Sequence, residues 1–365
     1  MIKKKLKLYY KSLVELFFSF LYGKIFLPKT TKKLIKKIEI NNSFFKSFKN
    51  KNYQIYIVKN ARIYTDNNEN LAIIKDNQIL PHISFQQVYG ILRSPKYNCT
   101  LVKGTPSFIK KINGKVFNLC QGASGNNYFH FMFDIIPKIY LLNSKINLDK
   151  IDYFYIANPK KWQIRILKNL GIAEDKLLSS KKYNHIIANE IYSVDHPWYT
   201  KGHIHNSVKE IPSWIVLKNR EIFLKKNRKS NKKRIFLDRS NSSYNHCQIS
   251  NPNFVNEFII KNKFKSSKPE LSTLKTQINL FNNSSIIIGA HGAAFTNIIF
   301  CKPGTKIIEI IPSDHPSRQN ERISKILRLK YFRINTKPDN SDKNYPFKIN
   351  IDRKNLKLIE KIINL

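Results

Sequence analysis

Two stretches of the chain bring together side chains that could bind or transfer charged groups. The first places His130 and Asp134 four residues apart, so the two side chains share one face if this segment is helical. A carboxylate beside an imidazole orients the ring and tunes it as a general base. The alternative is a structural histidine in the core, with the aspartate as its hydrogen-bond partner.

The second stretch, residues 286–297, reads Ile-Ile-Ile-Gly-Ala-His-Gly-Ala-Ala-Phe-Thr-Asn. An apolar strand would end at Gly289 and a new helix would begin near Ala293. Small residues let a ligand approach the backbone, and the first N–H groups of a helix attract anions. The pattern predicts a diphosphate site that includes Gly292, where His291 could hydrogen-bond a phosphate or stabilise the departing nucleotide. Tight packing around a buried histidine is the alternative, because the stretch is neither a GxGxxG motif nor a P-loop.

Two further polar residues lie in or after neighbouring apolar segments. Glu309 interrupts the apolar run at 307–312, where a lone carboxylate is costly unless it has a partner. The two hydroxyls of a ribose would supply one, and a lysine at the rim of the sheet is the alternative. Arg239 directly follows the apolar segment 234–238 and could contact a phosphate through two N–H groups.

The elements that must position these residues alternate along the chain. Short strands are indicated before residue 120, with a turn at 75–77 and a hairpin signal at Asn113-Gly114. Alternating helices and strands follow, which predicts parallel sheets covered by helices. We expect helices at 126–142, 162–170, 207–226, 252–262, 272–281, 293–300 and 317–329. We expect strands at 54–58, 151–156, 185–194, 234–238, 285–288, 306–310 and 331–334.

The composition is strongly basic, with 65 Lys and Arg against 24 Asp and Glu, a formal net charge of +41. This charge would attract phosphate in a nucleic acid, a membrane or a substrate, although biased amino-acid usage explains it equally well. The basic residues form no single stripe and no nucleic-acid-binding motif, so we expect no nucleic-acid partner. The four cysteines are too far apart for a CxxC motif and fit a reducing cytosol.

The N-terminal segment combines basic and aromatic residues. It has no convincing signal peptide, and no stretch reaches the ~20 apolar residues that span a bilayer. Residues 13–27 predict either an amphipathic helix on an anionic membrane or a helix docked on the core. We expect a cytoplasmic protein, with peripheral contact to the inner membrane through residues 1–30 as an alternative.

Taken together, these motifs resemble the family 61 glycosyltransferases over about residues 120–315. The residues that carry the resemblance are His130, Asp134, Pro137, Arg239, Asn251, Pro269 to Ser272, Gln277, Leu280, Phe281, Gly289 to Ala293, Asn297, Phe300, Pro303, Gly304, Glu309 and Pro312. The family often has a second basic residue after the first arginine. Here His246 could substitute for it. The alternative is that it does not, so that the donor diphosphate has fewer contacts.

The resemblance implies an α/β fold of the GT-B type, with two Rossmann-like domains facing a cleft and a β-rich N-terminal addition. The segments would be an arm at 1–30, an acceptor-side domain at 31–206, a nucleotide-sugar domain at 207–335 and a helical tail at 336–365. The implied reaction is metal-independent, needs no cofactor and inverts the configuration at the anomeric carbon of the sugar. It runs from a nucleotide sugar, commonly a UDP-sugar, to a hydroxyl of a glycan or a lipid-linked polysaccharide such as a capsule intermediate.

The resemblance also implies a set of site residues. His130 is favoured as the base with Asp134 orienting it, and the reverse assignment stays open. The donor would be bound by Arg239, His246, Gly289, His291, Gly292, Ala293, Asn297 and Glu309, with Glu270 and Gln277 in support and no metal. The rival classes are a basic nucleic-acid-binding protein and a catalytically inactive sugar-binding scaffold.

Overall fold

The structure is a computed structural model. It describes residues 2–30, 34–67, 70–88, 90–120, 127–199, 202–224, 232–240, 242, 247–339 and 348–365. Within these residues the chain divides into two compact units, residues 1–207 and 208–365. His246 lies outside the described residues, and so do residues 225–226 at the end of the helix predicted at 207–226.

The first unit contains helices and one large mixed sheet. Its helices are α1 (Ile2–Tyr22), α2 (Thr100–Lys103), α3 (Tyr128–His130), α4 (Ile136–Asn143), α5 (Lys161–Asn169) and α6 (Ile204–Ser207). Its strands are β1 (Lys36–Ile40), β2 (Tyr53–Asn67), β3 (Asn70–Lys75), β4 (Gln78–Ile79), β5 (Phe85–Val88), β6 (Ile91–Arg93), β7 (Lys110–Asn118), β8 (Tyr153–Ile156), β9 (Leu177–Ser179), β10 (His185–Val194) and β11 (Gly202–His203).

The sheet of the first unit has an antiparallel part and a parallel part. Among the described residues its order is β11-β6-β5-β3-β2-β10-β7-β8-β9, with β1 beside β2 and β4 beside β3. The pairs from β10 through β7 and β8 to β9 are parallel, whereas the pairs on the other side of β10 are antiparallel. The predicted alternation therefore holds for the parallel part, and the predicted β-rich addition corresponds to the antiparallel part.

The hairpin predicted at Asn113-Gly114 is wrong, because β7 runs straight through these two residues. Ile112 pairs with Ala188 and Lys115 with Glu190, so two residues of β7 stand opposite one residue of β10. This is a β-bulge, which needs the same local freedom as a tight turn. The glycine is required here because a Cβ on Gly114 would lie 2.7 Å from Oδ2 of Asp152.

The second unit contains a parallel sheet and the helices that flank it. Its helices are α7 (Ser213–Phe223), α8 (Pro252–Lys261), α9 (Leu274–Asn282), α10 (Gln319–Ile326) and α11 (Arg353–Asn364). Its strands are β12 (Lys233–Leu237), β13 (Lys265–Ser267), β14 (Ser284–Ala290), β15 (Lys306–Pro312), β16 (Lys330–Thr336), β17 (Pro338–Asp339) and β18 (Lys348–Ile349). Short 3-10 helices cover Val208–Glu210, Pro269–Leu271 and Ala293–Phe300.

The five-stranded sheet of the second unit, in the order β13-β12-β14-β15-β16, is parallel throughout. Apolar side chains of its strands, among them Ile288 and Ile308, pack with Phe258 of α8 and Ile359 of α11. Strands buried on both faces read as continuous apolar runs, which is why these segments were predictable. Ligands of such sheets bind beyond the carboxyl ends of the strands. The GT-B arrangement itself stays a prediction.

The predicted helix at 293–300 is a 3-10 helix and not an α-helix. Its ends close through three-residue steps, because Phe295 N–H donates to Gly292 O at 3.1 Å and Cys301 N–H donates to Ile298 O at 3.0 Å. A 3-10 helix has poorer hydrogen-bond geometry than an α-helix. The anion site predicted at its N-terminus stays a prediction.

Candidate functional site

The first candidate site lies on a helix in which the spacing of the backbone hydrogen bonds changes from four to five residues. Asn127 caps the start, since its Oδ1 accepts from Phe129 N–H at 2.9 Å and His130 N–H at 3.3 Å. A π-helical turn follows at Phe131–Ile135, in which Ile136 N–H donates to Phe131 O. Pro137 has no N–H to continue the ordinary ladder. Such π-turns are frequent at functional sites.

The turn places His130 and Asp134 in direct contact, as the spacing predicts. Nδ1 of His130 lies 2.8 Å from Oδ2 of Asp134, and the aspartate is only 2% exposed. The indole N–H of Trp198 donates to the other carboxylate oxygen at 2.9 Å. A carboxylate held in this way fixes the orientation of the imidazole.

A second histidine faces the same carboxylate. Nε2 of His196 lies 3.8 Å from Oδ2 of Asp134. Its Nδ1 accepts from the backbone N–H groups of Trp198, at 3.1 Å, and Tyr199, at 2.8 Å. Because Nδ1 is an acceptor, the hydrogen of the neutral ring must be on Nε2. The N–H group at Nε2 then faces the carboxylate of Asp134. Burial lowers the pKa of His196, against the opposing effect of Asp134.

Electrostatics keep Asp134 ionised. Burial acts to raise the pKa of this carboxyl, but His130 beside it, together with His196, holds the pKa well below its usual range. An ionised Asp134 requires the ring hydrogen of His130 to be on Nδ1. Nε2 of His130 is then the ring nitrogen that can accept a proton, which is the arrangement of a general base.

Lys138 is a buried cation one helical turn beyond Asp134. Its Nζ donates to the carbonyl oxygen of Cys120 at 3.4 Å and lies 5.5 Å from the ring centroid of Phe85. Burial lowers the pKa of this lysine to about 8, while Cys120 and Asp134 act in the opposite direction. Residues with strongly perturbed pKa values cluster at functional sites, so this buried lysine adds to the candidate site.

The second candidate site lies at the carboxyl end of β14 in the second unit. His291 directly follows this strand, and its N–H extends the ladder to Ile310 O at 2.8 Å. Arg239 stands two residues beyond the neighbouring strand β12. Because the two strands are parallel neighbours, their polar residues emerge at the same edge of the sheet.

The guanidinium of Arg239 lies against the backbone of Gly292. A Cβ on Gly292 would lie 2.4 Å from Cζ and 2.5 Å from Nη1 of Arg239. Nη1 of Arg239 donates to the backbone carbonyl of His291. Gly292 is thus required for the approach of an arginine, in addition to any approach of a ligand.

His291 and Glu309 form a second histidine–carboxylate pair. Nδ1 of His291 lies 2.5 Å from Oε1 of Glu309, which also accepts from Nδ2 of Asn320 at 2.6 Å. The hydroxyl of Tyr331 donates to Oε2 at 2.6 Å. Burial acts to raise the pKa of Glu309, but His291 and these hydrogen bonds lower it. The partners of this acid are therefore protein side chains.

The structure gives different roles to the remaining predicted donor residues. A Cβ on Gly289 would lie 2.8 Å from Cβ of Leu237, so strand packing accounts for this glycine. Nδ2 of Asn297, which is fully buried, donates to Oε1 of Gln277 at 2.7 Å. Ala293 begins the 3-10 helix and is partly exposed.

The supporting acid Glu270 is exposed on the short helix Pro269–Leu271. Burial lowers the pKa of Arg239, and Cys247 and Glu270 act against this shift. The supporting role of Glu270 stays a prediction. Among the described residues, no group of three or more His, Cys, Asp or Glu side chains could hold a metal ion.

Comparison with protein families matches one region, which holds the first candidate site and part of the second. Residues 128–308 match the family model described as Glycosyltransferase 61. The chain belongs to this glycosyltransferase family. The match begins two residues before His130 and ends directly before Glu309, so it contains the His130–Asp134 pair together with Arg239 and His291.

Two plant proteins resemble shorter parts of this family 61 chain. β-1,2-xylosyltransferase RCN11 of Oryza sativa subsp. japonica is 37% identical over 62 residues, which are 17% of this chain and 12% of the plant protein. A β-1,2-xylosyltransferase of Arabidopsis thaliana is 39% identical over 59 residues, 16% of this chain and 11% of that protein. The matched segments thus span about an eighth or less of the relatives' own length.

Several residues of the two candidate sites could not be found from the sequence. His196 and Trp198 stand more than sixty positions from Asp134, and their pattern alone gave no role. The sequence also gave no sign of Asn320, Tyr331 and His315. The ring of His315 lies 4.5 Å from that of His291.

Proposed function

We propose that this chain is an inverting glycosyltransferase. It would move a sugar from a nucleotide sugar, for which we propose a UDP-sugar, to a hydroxyl of a glycan or a lipid-linked polysaccharide. The observation that carries this proposal is the family 61 match over residues 128–308, which contains the His130–Asp134 pair together with Arg239 and His291. Because two similar proteins are named β-1,2-xylosyltransferases, UDP-xylose is the first donor to test.

The donor diphosphate is proposed to bind at the carboxyl edge of the parallel sheet in the second unit. Arg239 and His291 lie together at this edge, and the guanidinium presents several donors to phosphate oxygens. In this proposal their charge offsets that of the diphosphate without a metal ion. The parallel sheet also supports the proposed GT-B type of the fold.

Glu309 is proposed to position His291. Its two carboxylate oxygens accept from His291, Asn320 and Tyr331, and the residue is only 2% exposed. A ribose contact, which the sequence predicts for Glu309, would have to compete with these three hydrogen bonds. The carboxylate also offsets the charge of a protonated His291, so the imidazole can stand next to a phosphate as a cation.

His130 is proposed as the catalytic base. The acceptor hydroxyl oxygen attacks the anomeric carbon on the face opposite the diphosphate, and its proton passes to Nε2 of His130. As the new C–O bond forms, the bond to the diphosphate breaks and the nucleoside diphosphate leaves with the electron pair. Asp134 stabilises the imidazolium that results, as the carboxylate of a catalytic triad does.

A donor panel tests the proposed function. UDP-xylose, other UDP-sugars, and GDP-, CMP- and dTDP-sugars are each added to the full chain, and the thermal unfolding temperature and nucleotide release are measured. A ligand at a hundredfold excess over its dissociation constant stabilises the folded state by about 2.7 kcal/mol. We expect a shift with UDP-sugars, whereas no shift with any nucleotide sugar would contradict the proposal.

A further inference from the structure

Helix α1 is attached to the first unit through one side of its C-terminal half. Phe18 is buried, and its ring lies 4.9 Å from that of Phe108. The hydroxyl of Tyr22 accepts from Ile109 N–H at 3.2 Å, and the guanidinium of Arg62 lies 5.9 Å from the centroid of the Tyr22 ring. These contacts fix the helix, so its remaining surface has a defined orientation on the unit.

The opposite side of α1 is apolar and exposed. Its members are between 47% and 92% exposed, with Phe20 at the upper limit. They are Leu6, Tyr9, Tyr10, Leu13, Leu16, Phe17, Phe20 and Leu21. At 3.6 residues per turn these positions occupy an arc of ~140° and a length of ~22 Å. We call this surface the α1 stripe.

The charges of α1 distinguish between the surfaces that could cover the stripe. The helix has five lysines, at positions 3, 4, 5, 7 and 11, and one acidic residue, Glu15. Lys7 and Lys11 lie on the side of the helix that faces away from the stripe, one turn apart. A second copy of this chain carries the same net charge of +41 and would be repelled. An anionic surface is attracted.

From these observations we infer that α1 docks on an anionic lipid bilayer, with the stripe at the boundary of headgroups and acyl chains. Amphipathic helices with lysines on the polar side and large apolar residues on the other lie in this plane. No helix in the described part of the chain is long and apolar enough to cross a membrane. Phe108, which is 64% exposed beside Phe17, extends the apolar surface.

Vesicle co-sedimentation of the full chain tests this inference. Vesicles of phosphatidylcholine, with and without phosphatidylglycerol, are mixed with the wild type, Phe20→Glu and Ile260→Glu. Ile260 is a matched control, because it is an exposed apolar residue (76%) on α8 of the other unit. Thermal unfolding of each variant reports whether it is folded, which we expect because both side chains are exposed.

We expect the wild type and Ile260→Glu to bind the phosphatidylglycerol vesicles and to be released by salt, since screening weakens the lysine contribution. Phe20→Glu should bind roughly tenfold or more weakly, from the loss of one buried phenyl group. Equal binding of all three proteins, or none by the wild type, would overturn the inference. So would a wild-type dimer that Phe20→Glu dissociates, because the stripe would then cover a second copy.

Discussion

The two units of this chain each contain a buried carboxylate bound to Nδ1 of a histidine, but they build the pair differently. In the first unit, His130 and Asp134 lie on one helix, four residues apart. In the second unit, Glu309 lies in β15 and His291 follows the neighbouring strand β14. One pair depends on the local step of a helix, whereas the other depends on the register of a sheet.

The surroundings of the two carboxylates differ as well. Glu309 accepts two further hydrogen bonds, from the neutral groups of Asn320 and Tyr331. Asp134 accepts one, from Trp198, and stands near the titratable groups of His196 and Lys138. The carboxylate of the first site thus has two further titratable side chains near it. In the second site an amide and a hydroxyl hold the carboxylate, and the ring of His315 lies 4.5 Å from that of His291.

The largest expected effect comes from His130→Ala, which removes the proposed base. General bases contribute about 10²- to 10⁴-fold to the rate, so we expect a loss of that order in sugar transfer. Donor binding, measured by calorimetry, should stay within a factor of a few, because the donor site lies on other residues. His82→Ala, at an exposed histidine of the same unit, is the control. A variant with undiminished turnover would assign the base elsewhere.

A smaller effect is expected from Glu309→Gln, which separates the roles of the two pairs. The amide can still accept from Tyr331 but no longer offsets the charge of His291. We expect KM for the donor to rise about tenfold, the equivalent of one charge-assisted hydrogen bond. Asp134→Asn should instead act mainly on kcat. If both variants change kcat alone, the two pairs have the same role and the comparison fails.

Gly292→Ala should act on the donor through Arg239, because the added methyl would take the place of the guanidinium. We expect a several-fold weaker donor affinity, with the fold retained. The double variant Gly292→Ala/Arg239→Ala should be no weaker than Arg239→Ala alone, since contacting residues are not additive. Additive losses in the affinity cycle would show that Gly292 serves the ligand and not the arginine.

The smallest change is expected from Lys138→Met and concerns stability. The folded pKa of Lys138 is about 8 and its ordinary value is 10.5, because burial disfavours the charged form. Between these values the unfolded chain binds more protons, so the free energy of unfolding rises with pH. Lys138→Met should remove this rise, whereas exposed Lys145→Met should keep it. Identical pH profiles for the wild type and Lys138→Met would contradict a depressed pKa.

The sequence predicts the parallel sheets and the two histidine positions because these depend on local patterns. Apolar runs define β14 and β15, and four-residue spacing brings His130 to Asp134. Asn113-Gly114 was misread because a hairpin and a β-bulge place the same demand on the backbone. The parallel pairing of β7 with β10, more than seventy residues later, decides between them.

The chemistry around the carboxylates was harder to predict. Glu309 required a partner, and the sequence could not show whether a ligand or the protein supplies it. Asn320 and Tyr331 come from α10 and β16, which only the folded sheet brings to this point. His196 and Trp198 reach Asp134 from the segment after β10 for the same reason. Contacts between distant segments depend on the topology of the fold, which residue spacing along the chain does not predict.

The carboxyl edge of the second unit is proposed to bind the diphosphate of a nucleotide sugar. The most direct test of this proposal is calorimetric titration of the best donor from the panel into the wild type, Arg239→Ala and Arg353→Ala, an exposed arginine of the same unit. We predict that Arg353→Ala binds like the wild type and that Arg239→Ala binds at least about tenfold more weakly. Equal affinity of Arg239→Ala and the wild type would contradict the account.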